Sequence, residues 1–261
     1  MSGKTSIAWT NATWNPVVGC TRVSPGCDHC YAFALHDRRH ALYQQHAGHW
    51  SAEGKAIPRQ YALPFDEVQF LEERLTWPLH QRQPLRIFVN SVSDLFHSAV
   101  TEDQIQRVFT VIRQAHWHTF QVLTKRAGRL RYLGPQLDWP ANLWMGVSIE
   151  TDDLTPRANA LRVGAANAAV RFISAEPLLG ALPSLDLTHI DWVITGGESG
   201  PGSRPCDPAW VRDLRDRCVA DDVAFFHKQW GGATPKSYGR ILDGRTWDEF
   251  PHGLGRDEQS W

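Results

Sequence analysis

From residue 86 onward, hydrophobic and polar positions follow a repeating rhythm. Six apolar runs, RIFVNSVSD (86–94), TFQVLTKR (119–126), LWMGVSIE (143–150), VRFISAEP (170–177), DWVITGGES (191–199) and VAFFHKQWG (223–231), are rich in β-branched or aromatic residues and finish in polar ones. Short continuous runs of this kind predict strands buried on both faces. Their starts lie about 20 to 33 residues apart, close to the ~30-residue length of a βαβ unit.

Helical periodicity fills the gaps. Thr101–Ala115 opens on Thr101 as N-cap with acids in its first turn, and Ile105, Val108, Phe109 and Ile112 form one face at i, i+3, i+4, i+7. Asp207–Ala220 starts with Asp as N-cap and Pro at the first helical position, placing Trp210, Val211, Leu214 and Cys218 inward. Thr155–Val163 is a weaker helix. A further strand is expected near Thr13–Val18. Region 37–66, with Gly48, Pro58 and Pro64, predicts a helix followed by an irregular excursion, and the tail from about 237 to 261 predicts loop and turn. The expected fold class is α/β: a parallel (βα) TIM-like barrel or partial barrel, one domain over 1–261, with a cysteine-bearing loop near its N-terminus. A doubly wound open sheet fits the same alternation.

The 261 residues suffice for a sizeable core, and the formal net charge of −1 provides no global field toward nucleic acid or membrane. The opening MSGKTSIAWT has no apolar signal region, and no apolar run approaches the ~18 residues that span a bilayer. The expectation is a cytoplasmic protein without membrane attachment. Five cysteines, three of them within eleven positions, favour metal or redox chemistry over a disulfide framework in such a chain.

Each expected strand ends in polar residues: Asn90, Ser91, Ser93 and Asp94; Thr124, Lys125 and Arg126; Ser148 and Glu150; Ser174 and Glu176; Thr195, Glu198 and Ser199; His227, Lys228 and Gln229. Parallel α/β proteins build sites at the carboxyl ends of strands, and six polar ends in succession predict one shared site. Gly196 and Gly197 would let a ligand approach the backbone, with Glu198 next to it. TGGES has neither the further glycine of a dinucleotide fingerprint nor the lysine of a P-loop.

The most specific pattern is GCTRVSPGCDHCYA (19–32), a C-x6-C-x2-C spacing. Cys20, Cys27 and Cys30 can cap three corners of a [4Fe–4S] cube, leaving one iron open to a substrate or cofactor. Gly19, Pro25 and Gly26 supply the turns. Zinc held by the three thiols with His29 or His36, or a C-x-x-C redox pair, are the competing readings. Cys218 reads as core.

Together, TWNPVVGCTRVSPGCDHCYA, FVNSVSDLFH, FQVLTKR, GVSIE, FISAEPLLG, WVITGGESGPGSRP and FFHKQWG resemble the radical S-adenosylmethionine (SAM) enzymes, and within them a phage- and prophage-associated family of radical-SAM-like proteins. The resemblance spans about residues 7–232. It implies an iron–sulfur enzyme in which the open iron chelates the amino and carboxylate groups of SAM, and one electron cleaves it to methionine and a 5′-deoxyadenosyl radical. It implies that His29 packs near adenine, that Asn90, Ser91, Ser93 and Asp94 approach the methionine amino group, and that Ser148 and Glu150 lie near the ribose. Gly196, Gly197 and Glu198 complete the expected cofactor set. Lys125, Ser174, Glu176, Lys228 and Gln229 are the substrate-side candidates. The implied partners are an electron donor and an unidentified substrate, with a nucleotide or nucleic acid as the candidate class. The alternative is a zinc-binding or structural iron–sulfur accessory or nucleic-acid-binding protein without SAM chemistry.

Overall fold

Residues 3–46, 56–234 and 237–251 are described by a computed structural model, in which the chain divides into two compact units. The first comprises Met1–Arg126 with Leu137–Asn142, the second Ala127–Gln136 with Leu143–Trp261. Both are α/β; the first mixes parallel and antiparallel strand pairings, and the described pairings of the second are parallel. Part of the expected excursion, 47–55, and the end of the tail, 252–261, lie outside the described residues.

In the first unit, β1 (Gly3–Lys4) pairs antiparallel with β2 (Ala12–Trp14). A separate antiparallel ladder joins β3 (Val17–Val18) to β4 (Gln69–Phe70). β2 runs parallel to β5 (Arg86–Val89), which runs parallel to β6 (Thr119–Thr124). The expected strand at Thr13–Val18 is therefore split, and β3 belongs to a different ladder from β2. Helix α1 (Tyr31–Gln45) starts directly after Cys30, and α2 (Glu102–Gln114) crosses from β5 to β6. Thr101 caps α2 in a full capping box with Gln104, satisfying two end groups reciprocally. Ile105, Val108, Phe109 and Ile112 are buried on its inner face. Trp14 is wholly buried, edge-on to Phe120, with its indole N–H donating to Arg74 O at 2.8 Å.

In the second unit, β7 (Leu143–Ser148), β8 (Val170–Ala175), β9 (Trp192–Gly196) and β10 (Ala224–Gln229) form one parallel set in chain order. The connections carry α4 (Pro156–Gly164) between β7 and β8, and α5 (Pro208–Ala220) between β9 and β10. A short helix, α3 (Ala127–Leu133), is an addition to the sequence expectation and packs on α4. Trp192 anchors the core against Trp144, Phe172 and Phe226, so large rings fill the layer below the polar strand ends. All four strands enter from the same end, so their carboxyl termini, and the polar residues that follow, gather at one edge of this unit.

Candidate functional site

The cysteine loop belongs to the first unit, where backbone contacts fix it before any ligand is considered. Gly19 has φ +100°, and a Cβ there would lie 2.8 Å from Phe65 O and 2.9 Å from Glu67 O, so only glycine fits. Its N–H donates to Val92 O at 3.2 Å, and the Cys20 N–H donates to Phe65 O at 2.8 Å. The Ser93 hydroxyl donates to Val17 O at 2.8 Å, tying the end of β5 to the strand that leads into the loop. Pro25–Cys27 then makes a 3₁₀ turn, and Cys30 stands at the N-cap of α1. All three thiols are free; Cys27 is buried, while Cys20 and Cys30 are partly exposed.

At the strand ends beside this loop, Asp94 is the hub. Its Oδ1 accepts from Thr124 Oγ1 at 2.7 Å and Phe96 N at 2.9 Å; its Oδ2 accepts from Lys125 N at 3.0 Å and Arg126 Nη1 at 3.0 Å. A carboxylate has about four acceptor positions, and these four donors fill them. Asp94 thus holds the ends of β5 and β6 together and leaves little capacity for a ligand ammonium. Arg126 Nη1 also reaches Cys20 Sγ at 3.5 Å, and Nη2 donates to Thr21 O at 3.1 Å and Thr21 Oγ1 at 2.9 Å. His97 Nδ1 accepts from Ala99 N at 3.1 Å, so its Nε2 carries the proton and donates to Thr21 Oγ1 at 2.9 Å.

Burial pushes the Cys20 thiol up to about 11, Arg126 opposes this, and Asp94 and Cys27 add smaller upward pushes. Burial works against the Arg126 charge, but Asp94 and Cys20 more than offset it and hold its pKa above the ordinary value. Asn90 lies in the left-handed region at φ +61°, with Oδ1 accepting from Val17 N at 3.4 Å; its Nδ2 is buried without a partner. Ser91 donates to Asn15 Oδ1 at 3.1 Å. Lys125 uses its backbone N–H here, and His29 is exposed on the cysteine loop. His36 is buried among Tyr61 and Phe65, with Nε2 2.9 Å from Leu63 O, which is a core position. Among the described residues, no three His, Cys, Asp or Glu side chains are grouped to hold a single metal ion.

The second unit gathers the other expected residues. Ser148 and Ser174 are register partners on β7 and β8. Glu150, fully buried, meets Arg157 Nη1 at 3.0 Å, and the same nitrogen donates to Ser148 O at 2.7 Å. Glu198 accepts from Arg204 N at 2.9 Å and Nε at 3.0 Å on one oxygen, and from Nη2 at 2.5 Å on the other. The ladder slips between His227 and Gln229, lifting Lys228 out of register, and it pairs with Glu176. Gln229 donates to the Ser199 hydroxyl. Thr195 and His227 are register partners joined through Oγ1 and Nδ1 at 3.0 Å.

The glycines do something other than expected. A Cβ on Gly197 would lie 2.0 Å from Trp230 O, so this chain's own backbone occupies the space that a ligand was expected to use. A Cβ on Gly196 would meet the Glu176 side chain at 3.3 Å.

Every strand-end acid named from sequence therefore has a base: Asp94 with Arg126, Glu150 with Arg157, Glu176 with Lys228, Glu198 with Arg204. Buried charges need such pairing, so these rims are locally neutral. Arg157, Arg204, Thr21 and His97 are not singled out by the linear pattern, because their roles are set by the partners they meet in the fold. A cavity of about 570 Å³ in the second unit opens near Asp191, His189 and Asp222, at the amino ends of β8–β10, away from these residues. No helix among the described residues is long and apolar enough to cross a membrane. No curated protein and no solved structure matches the chain. The match to a family model over residues 4–251, nearly the whole chain, means that this protein belongs to the family described as "Protein of unknown function (DUF5131)".

Proposed function

We propose that this chain is an iron–sulfur enzyme of radical SAM type, with Cys20, Cys27 and Cys30 holding a [4Fe–4S] cluster. The observation that carries the reading is one loop with three free thiols, pinned to a strand end and flanked by a guanidinium at 3.5 Å from Cys20 Sγ. The donor set fits such a cluster. Arg126 beside Cys20 opposes the burial that keeps this thiol protonated, and a cube spreads its ligands over separate corners where a single ion needs them at one point. The cluster, when bound, would supply the electron for reductive cleavage of SAM, drawn from an external one-electron donor.

The chain's own residues would then orient and enclose. Asn90 Nδ2, a buried donor without a partner, suits an acceptor group of a bound molecule. Asp94 would hold the ends of β5 and β6 and the Arg126 fork in place. The frame in this reading is a βα-barrel or partial barrel, supported by parallel strands with polar carboxyl ends in each unit. An unidentified substrate, with a nucleotide or nucleic acid as candidate class, would meet the Ser174, Glu176 and Lys228 side.

A second reading, a zinc or structural iron–sulfur accessory or nucleic-acid-binding protein without SAM chemistry, draws on the internal pairing of all four strand-end acids. Anaerobic purification and reconstitution, followed by reduction and incubation with SAM, separates the two. About four irons per chain with 5′-deoxyadenosine formed supports the first. Colourless protein with one zinc, or a cluster that leaves SAM intact, supports the second.

A further inference from the structure

We infer that Arg126 is a positioning residue that sets the reduction potential of the cluster through its hydrogen bond to the Cys20 sulfur. This rests on the iron–sulfur reading above and goes beyond it, since it assigns a role to a side chain outside the ligand set.

This guanidinium is firmly held. Its two terminal nitrogens contact four acceptors: Asp94 Oδ2 at 3.0 Å, Thr21 O at 3.1 Å, Thr21 Oγ1 at 2.9 Å and Cys20 Sγ at 3.5 Å. Its backbone N–H is fixed too, donating to Thr124 Oγ1 at 2.9 Å. Thr21 is held in turn by His97. The side chain is only 12% exposed. A fork constrained at this many points cannot swing away when charge changes beside it.

An N–H aimed at a cysteine ligand, together with a full positive charge in a poorly solvated place, stabilises the more negative, reduced cluster. Removing it lowers the potential. Asp94 Oδ2 accepts from the same nitrogen that contacts the sulfur, and its negative charge opposes the guanidinium's field there. Neutralising Asp94 while Thr21 still holds the guanidinium therefore acts in the opposite direction and raises the potential. The outward half of the network thus predicts a change of sign, which a merely structural role for Arg126 would not produce.

The test uses the full chain, reconstituted anaerobically with iron and sulfide and titrated by electron paramagnetic resonance. Arg126→Met is expected to shift the midpoint negative, Arg126→Lys to shift it less, and Asp94→Asn to shift it positive. Arg107→Met, which breaks an exposed pair with Glu72, is expected to leave it unchanged. Should Arg126→Met fail to fold, Arg126→Lys and Asp94→Asn still give the opposed signs. Wild type and variants that load iron and sulfide alike but share one midpoint would overturn the inference and leave the cluster standing. Wild type that takes up neither iron nor sulfide would overturn both.

Discussion

Asp94 and Arg126 form a buried ion pair, Oδ2 to Nη1 at 3.0 Å, with side chains 6% and 12% exposed, at the point where β5, β6 and the cysteine loop meet. Removing one partner of such a pair leaves the other charge uncompensated, which costs about 3–5 kcal/mol. Asp94→Asn keeps the shape and loses the charge, so about 3 kcal/mol or more of stability should disappear. Urea unfolding reads this as a lower midpoint at unchanged slope. Glu72→Gln, in an exposed pair with Arg107, should leave the midpoint essentially unchanged.

The three cysteines of the loop should behave alike, and differently from the fourth. Replacing Cys20, Cys27 or Cys30 singly with Ala is expected to abolish retention of iron and acid-labile sulfide, because two thiolates do not cage a cube. Cys218 sits on the inner face of α5, wholly buried, with burial pushing its thiol up to about 12. Cys218→Ala should keep the full iron content and lose only about 1 kcal/mol of stability. Full iron in all three loop variants would reject the ligand assignment.

His227 is the clearest source of pH-dependent stability. Burial, and secondarily the charge of Arg240, pull its pKa down to about 4 from the ordinary 6.5. Between those values the unfolded chain takes up a proton that the folded chain refuses, so stability falls as the pH drops through that window. The loss reaches roughly 3 kcal/mol near pH 4. Thermal unfolding at a series of pH values should show it, and His227→Gln should flatten the slope between pH 6.5 and 4. An unchanged slope in the variant would assign the acid sensitivity to other groups.

Gly197 gives a steric prediction. Gly197→Ala drives a methyl against the Trp230 carbonyl, which is backbone and cannot step aside, so a cost above ~3 kcal/mol is expected. Gly196→Ala meets a flexible Glu176 side chain and should cost about 1 kcal/mol. The two melting temperatures, compared without any ligand present, check it. Equal small losses would show that the Gly197 turn opens easily enough to admit a ligand.

The strands and the amphipathic helices were legible in the sequence by themselves. The runs at 86–94, 119–126, 143–150, 170–177, 191–199 and 223–231 each hold a parallel strand, because an uninterrupted β-branched or aromatic run satisfies few other environments. The helix expected at Thr101–Ala115 spans Glu102–Gln114, since its cap and its 3.6-residue stripe are local features. The seven-residue helix Ala127–Leu133, with a glycine second in line, is too short for such a stripe to register. Polar chemistry at the strand ends was legible as well, and so was the crowding of three thiols in one loop. The pairing was not. That Asp94 is spent on Arg126, Glu176 on Lys228, and the space over Gly197 on Trp230 depends on which distant groups folding brings together. Alternation and capping act over a few residues and leave their mark in the order of residues. Hydrogen-bond partners thirty residues apart leave none, and only the tertiary structure decides them.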